Sequence, residues 1–297
     1  YSNSLHYSCE IHPYVSEFIY ICQKQTNITF MRKTIFLYIF APLFFFAATV
    51  MAEELKTIKG NGDIVTKDIP ISEYTQLKIG GNIEKPIFNY SQKGNSSSVR
   101  LTTDSNLLPH LEIKVQKGCL VIGTKDKERL QPTRLIVDAQ SACLDKAHIE
   151  GAFHFIFQTG LNAKNLDLTA GGISDVHSNK PIRVEENCKM KASDTGKLKV
   201  TDLQCRHMNA VIKGCGVLEL KGKAQTGKYK VGDAGELKSY GFITEELNCH
   251  VSGAGEGKVH VTEMLEGNVS GSGRLKYKGF PRSDVRCTEA GRTKRVK

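Results

Sequence analysis

A Gly-x-Gly phrase followed by alternating residues recurs along the second half of the chain. This recurrence limits the fold more than any other feature. It is clearest at Gly253-Ala-Gly-Glu-Gly-Lys-Val-His-Val and again at Gly271-Ser-Gly-Arg-Leu-Lys-Tyr-Lys, 18 residues later. Weaker copies stand at Gly232-Asp-Ala-Gly, Lys213-Gly-Cys-Gly, Ser193-Asp-Thr-Gly, Gly171-Gly-Ile-Ser, Glu150-Gly-Ala-Phe and Thr288-Glu-Ala-Gly. The last residue of each phrase falls at 153, 174, 196, 216, 235, 255, 273 and 291, a period of 18–22 residues. A period near 20 that drifts by a residue or two is the signature of a stacked repeat array.

Aligning the eight units on that residue produces columns. Four residues earlier stand Ile149, Ala170, Ala192, Ile212, Val231, Val251, Val269 and Cys287; six earlier, Ala147, Leu168, Met190, Ala210, Tyr229, Cys249, Gly267 and Val285. Two residues later stand Phe155, Val176, Leu198, Leu218, Leu237, Gly257, Leu275 and Thr293. The even offsets are mostly apolar and the odd ones mostly charged, which is the alternation of strands with one buried face. The glycines mark corners that need positive φ. One unit has too few apolar residues to cover itself, whereas parallel coils about 4.8 Å apart turn each column into an internal stripe. The expected fold is therefore all-β, a parallel β-solenoid with rungs of 18–22 residues. An antiparallel sandwich is the rival, but the columns align by single repeats and not by hairpin pairs.

The rest of the chain divides readily. Residues 1–30 carry no repeat and precede a Met31-Arg-Lys n-region, an apolar run from Ile35 to Val50 and small residues before Glu53. Residues 31–52 thus read as a secretory signal peptide, and 1–30 as a non-native upstream extension. The apolar run, interrupted by Pro42, is short for a membrane span, so none is expected after cleavage. Residues 53–140 hold strand-like segments of less regular spacing, a first β domain or the opening coils of the same superhelix; residues 141–297 hold the repeats. Cleavage removes three basic and two acidic residues, so the formal charge falls from +10 to +9. Seven cysteines remain, an odd number that leaves at least one thiol unpaired, and no Cys-x-x-Cys spacing supports a zinc site.

Tyr74-Thr-Gln-Leu-Lys-Ile-Gly-Gly-Asn-Ile, Val99 to Val115 with Asn106-Leu-Leu-Pro inside it, Gly118-Cys-Leu-Val-Ile-Gly-Thr and the Gly repeats together resemble the GIN-domain family. That family is the head domain of proteins named auto-transporter adhesins, found mostly in Gram-negative bacteria. The resemblance spans roughly residues 60–295 and implies an exported, right-handed β-helix without enzyme activity. Family repeats often continue Ser-Gly-Ser-Gly-Asp, but here that last column reads His154, Asp175, Lys197, Val217, Glu236, Glu256, Arg274 and Arg292. No membrane barrel follows the repeats in this sequence, so it is not expected to act as an auto-transporter by itself.

Two outward features carry candidate chemistry. Lys199, Lys238, Lys258 and Lys276 share a column with Glu219 and Lys294, and like charges stacked about 5 Å apart repel unless an anion lies along them. An acidic glycan or the phosphates of lipopolysaccharide would fit such a row; solvated lysines that keep the solenoid soluble are the simpler reading. His154, Asp175 and His177 form the second feature. They suit a metal or acid–base work on a sugar, against the simpler reading of an exposed polar patch. No Walker, His-Glu-x-x-His or Gly-x-Ser-x-Gly motif is present, and no cofactor, resident metal or nucleic acid is called for. The expected function is a non-enzymatic, exported binding or structural protein of the cell envelope (periplasm, outer membrane or surface). The alternative is a carbohydrate-active β-helix lyase or hydrolase. N-terminal sequencing of the exported protein should find a start at or near Glu53; retention of residues 1–30 would contradict the signal-peptide assignment.

Overall fold

Parallel pairing of each coil on the next carries the fold, and the register is the one the columns predict. Leu168, Met190, Ala210, Tyr229, Cys249 and Gly267 are successive Cα partners. So are Val176, Leu198, Leu218, Leu237, Gly257 and Leu275. Apart from the half-buried Gly267, every residue in these two stripes is buried. Each leucine or valine so placed stabilises the coil by about 1.5–3 kcal/mol relative to an exposed one. The parallel ladder rules out the sandwich. Strands Lys197–Ile212, Val217–Val231, Glu236–Val251 and Glu256–Val269 each run from one corner to the next coil's corner. They bend at breaks in register such as that between Val200 and Leu203. The last coil departs from the expectation: Cys287 and Thr293 are exposed and Val285 half-buried, because no described coil lies beyond them to close the stripe.

The computed structural model describes residues 55–94, 96–125 and 128–297. The upstream extension and the signal peptide expected at 1–52 lie outside the described residues. Leu55–Lys297 form one unit. Within it, strands Gln76–Ile79 and Ile87–Gln92 make the first coil, pairing in parallel with Lys146–Ile149 and His154–Phe157. Regions 53–140 and 141–297 therefore share one core. Phe88 stacks on Phe155 across that junction, with ring centroids 5.0 Å apart and planes 7° from parallel.

The remaining N-terminal strands close the end of the stack. Leu135–Ser141 pairs with Ile87–Gln92 in parallel and with Ser98–Asp104 antiparallel, and the latter pairs with Ile64–Ile69. The hairpin Leu111–Gln116/Cys119–Thr124 lies beside Gln76–Ile79. Asn106-Leu-Leu-Pro sits in a short 3-10 helix, Ser105–His110, where Leu107 is fully buried. The Asn106 side chain donates to the Lys59 carbonyl at 2.8 Å and accepts from the Asn61 N–H at 3.0 Å. The buried Asp104 carboxylate accepts from the Gly62 and Thr133 N–H groups, both at 2.8 Å. Burial alone would raise its pKa, but these backbone donors hold it below the ordinary carboxylate value. The motif that carries the resemblance is thus a tie between the chain entry and the cap.

At every corner one residue sits at positive φ: Gly151, Gly172, Asp194, Gly214, Asp233, Gly253, Gly271 and Glu289. The phrase's last glycine has a different reason. A Cβ on Gly196 would lie 2.5 Å from the Ala170 carbonyl oxygen of the coil beneath. Gly196→Ala should therefore cost about 2 kcal/mol or more through forced separation of two coils. Gly80→Ala, whose new Cβ would meet only Glu150 at 3.9 Å, should cost less than about 1 kcal/mol. Chemical denaturation of the two variants checks the difference.

Candidate functional site

One flat face of the solenoid carries the charged columns. Alternation points residues 236, 238 and 240 outward from the coil that begins at Glu236, and residues 256, 258 and 260 from the next. The predicted lysine column forms: Lys199, Glu219, Lys238, Lys258, Lys276 and Lys294 are successive Cα partners. It is not a bare row of cations. Lys199 pairs with Glu219 at 3.2 Å, and Lys238 with Glu236 at 3.0 Å. Lys258 bridges Glu236 at 2.8 Å and Glu256 at 3.6 Å, and Lys276 reaches Glu256 at 2.8 Å. Two acidic members of the neighbouring column thus thread a zigzag of ion pairs between the lysines. Burial would raise the pKa of Glu236, but hydrogen bonds from Lys258 and Lys238 bring it below the ordinary value. Glu256 is lowered chiefly by its bond from Lys276, and Lys258 is raised chiefly by its bond to Glu236.

The compensation stops toward the C-terminal coils. Arg274 and Arg292 are Cα partners in the acidic members' own column, and Lys276 and Lys294 are partners beside them. Among the described residues, no carboxylate forms an ion pair with Arg274, Arg292 or Lys294, all three of them exposed. The sequence reading passed over the two arginines because it treated the two columns separately.

At the other end of the same face the structure brings together His154, Asp175 and His177. His154 and Asp175 are Cα partners on adjacent strands, His154–Phe157 and Asp175–Ser178, and His177 lies two residues further along the second. His154 Nδ1 is 3.6 Å from Asp175 Oδ2, and the two imidazole centroids are 4.9 Å apart. Burial, then the neighbouring His154 and Lys199, hold His177 below the ordinary imidazole pKa against the opposing pull of Asp175.

A groove of about 630 Å³ runs along a third face, lined by Arg183, Gln204, Cys205, Lys223, Ile243 and Glu245 among others. Arg183 is fixed there by a bidentate pair with Asp202, both contacts at 2.9 Å. The seven described cysteines are free thiols. Cys249, deep in its column, is pushed up to about 12 by burial and is chemically quiet. Among the described residues no helix is long and apolar enough to cross a membrane.

A parallel solenoid with glycine corners, an N-terminal hairpin cap and a charged outer face defines a class of capped β-solenoids. The chain belongs to the GIN-domain family: the family described as "Putative auto-transporter adhesin, head GIN domain" matches residues 73–281. A "putative adhesin" from Parabacteroides merdae ATCC 43184 is similar at 27% identity and TM-score 0.75, covering 82% of this chain and 100% of that one. A "putative adhesin" from Parabacteroides distasonis ATCC 8503 is similar at 28% identity and TM-score 0.76, covering 81% and 100%. A "putative lipid binding protein" from the same organism matches at 25% identity and TM-score 0.77, covering 82% and 100%. No curated protein matches the chain.

The ion-pair zigzag gives the face a pH signature. Glu236 and Glu256 have folded pKa values below their ordinary 4.5, so their contribution is present above that value. It is lost as pH falls through 4.5 toward the lower folded values. The Lys258 value is raised from 10.5, so its contribution persists through neutral pH up to that value and is lost as pH rises from there through the folded pKa. These side chains are about a quarter exposed, so each pair is worth only about 0.2–1 kcal/mol. Between about pH 6 and pH 3, wild-type melting temperature should fall more steeply than that of the Glu236→Gln/Glu256→Gln variant. Parallel melting curves would show that the zigzag contributes nothing.

Proposed function

We propose that the protein is an exported, non-enzymatic, adhesin-like binding protein of the cell envelope. Its ligand is an acidic polymer or a phosphorylated glycolipid headgroup, held at the uncompensated end of the charged face. The observation that carries this reading is the contrast within one column pair. Lys199, Lys238 and Lys258 are neutralised by glutamates, whereas Arg274, Arg292 and Lys294 stack without a carboxylate, with Lys276 between the two sets. Stacked like charges at about 5 Å raise the energy of the empty face and lower it when a regular anion binds. Arginine adds a planar fork suited to sulfate, carboxylate and phosphate. The predicted lysines at 199, 238 and 258 thus become spacers, and the ligand contacts move toward the C-terminal coils.

Membership of the adhesin family supports the non-enzymatic, surface-exposed part of the reading. The groove on the third face supports it too. Its glutamates, Glu185 and Glu245, stand three coils apart, roughly 14 Å at the coil spacing, with Arg206 and Gln225 on the coils between. That is well beyond the ~6.5–9.5 Å of an inverting acid–base pair. The trio at 154–177 holds one carboxylate. The lipid-binding description of one Parabacteroides distasonis relative is compatible with a phosphate-bearing ligand.

Heparin, lipopolysaccharide and dephosphorylated lipopolysaccharide serve as probes. Arg274→Glu/Arg292→Glu should weaken heparin or lipopolysaccharide binding by about tenfold or more, four units of charge at a few tenths of a kcal/mol each. Lys67→Glu/Lys93→Glu, with the same change in net charge at exposed N-terminal positions, should have a much smaller effect. Equal losses in the two variants would leave only non-specific basicity and overturn the assignment. Loss of binding on dephosphorylation identifies phosphate as the recognised group on that probe.

A further inference from the structure

Six histidines besides those at positions 6, 12 and 154 lie in the chain, and most have local partners. His110 bonds Glu128 at 2.7 Å, His207 bonds Thr226 at 2.8 Å, His250 bonds Asn268, and His260 approaches the Tyr240 carbonyl at 3.3 Å. His148 stands 3.5 Å from Glu150. His154 and His177 differ: among the described residues neither ring makes a hydrogen bond, and neither does the Asp175 carboxylate between them. One donor atom from each of the three lies within 4.8 Å of the other two. The strand register puts them there, with His154 and Asp175 side by side on adjacent coils and His177 two residues along, on the same outward face.

We propose that His154, Asp175 and His177 form a surface site for a divalent transition-metal ion of the zinc, nickel or cobalt type. Two imidazoles and one carboxylate supply a nitrogen-rich set that suits these ions, while calcium and magnesium prefer all-oxygen sites. Donors bound at about 2.0–2.2 Å from one ion stand roughly 3–3.5 Å apart. The His154–Asp175 separation of 3.6 Å is close to that, and rotation of half-exposed side chains closes the rest without moving the strands. Ile87 and Ile156, the strand partners of His154 and His177, place apolar side chains around the rings. On the next coil Lys197 and Lys199 are the strand partners of Asp175 and His177, and Lys199 is drawn to Glu219 at 3.2 Å. The outward side remains open, so a bound ion would keep positions for water or for a donor group on another molecule.

Titration of the intact chain with Zn2+ by calorimetry tests the site, with Co2+ absorption as a second readout. The expected result is one ion per chain, unaffected by excess Ca2+, with a Co2+ spectrum lacking thiolate charge-transfer bands. His154→Ala, Asp175→Ala and His177→Ala should each weaken binding by about tenfold or more, at least the loss that follows removal of an outer-shell partner. His207→Ala should leave it unchanged. The three side chains are partly exposed, so unchanged circular dichroism in the variants is expected and is checked first. Absence of saturable binding, a sulfur-ligated Co2+ spectrum, or binding that survives His154→Ala/His177→Ala would overturn the proposal.

Discussion

The closeness with which one corner passes over the next governs the rest of the molecule. At the corners from Gly172 to Gly271 a backbone N–H donates to the positive-φ residue of the coil beneath. Thr195 donates to Gly172 at 2.9 Å, Ala234 to Gly214 at 3.0 Å and Ser272 to Gly253 at 2.8 Å. A Cβ on Gly214 would meet the Asp194 carbonyl oxygen at 3.0 Å, and one on Gly271 would meet the backbone of Gly253 at 2.8 Å. Any thickening here would separate neighbouring coils along their whole length, and the internal stripes would lose contact with it. Where the glycine is replaced, aspartate stands at two corners and glutamate at a third. Asp194 and Asp233 accept the left-handed conformation and use their carboxylates to receive the N–H of Gly172 at 3.2 Å and of Gly214 at 2.9 Å. The repeat phrase decays in spelling and keeps its physical function.

A fixed parallel register has an electrostatic consequence. Whatever stands at an outward position in one coil stands about 4.8 Å from its equivalent in the next, so a repeated lysine is a repeated repulsion. Glu236 and Glu256, two residues before Lys238 and Lys258 on the same face, answer that repulsion along the middle coils. Toward either end the answer is missing, and there the face offers first unspent histidine and carboxylate donors and then uncompensated arginines. The chemically open positions of this face are thus set by where the local compensation stops.

Most of the solenoid half was legible in the sequence, because a structure that repeats in space repeats in sequence: the corners, buried columns and lysine stack follow directly from one alignment. The N-terminal half was legible only as separate strands. Its pairings join Ile87–Gln92 to Leu135–Ser141 and Gln76–Ile79 to Cys119–Thr124, contacts that carry no period. Cys287 looked inward by its column and is exposed because a column's burial depends on the coil that follows it. The ion-pair zigzag was present in the sequence as Glu-x-Lys at 236–238 and 256–258, but two columns have to be read together to see it. The third-face groove left no periodic trace, since register breaks such as that between Val200 and Leu203 shift the chain on that side.

The distance between the two open ends of the face decides whether they act together. From Asp175 to Arg274 the column passes Lys197, Val217, Glu236 and Glu256, five coil steps or roughly 24 Å. The Debye length in physiological salt is about 8 Å, so the direct field of a cation at one end is largely screened at the other. The glutamate–lysine zigzag between them adds alternating charges that cancel at that range. A linear polymer could still span both ends, because its length and not the protein's field would connect them. Short anionic fragments should then engage the arginine end independently of the histidine end. Only a chain long enough to cover five coils could couple the two, through tethering that raises the effective concentration of its second contact.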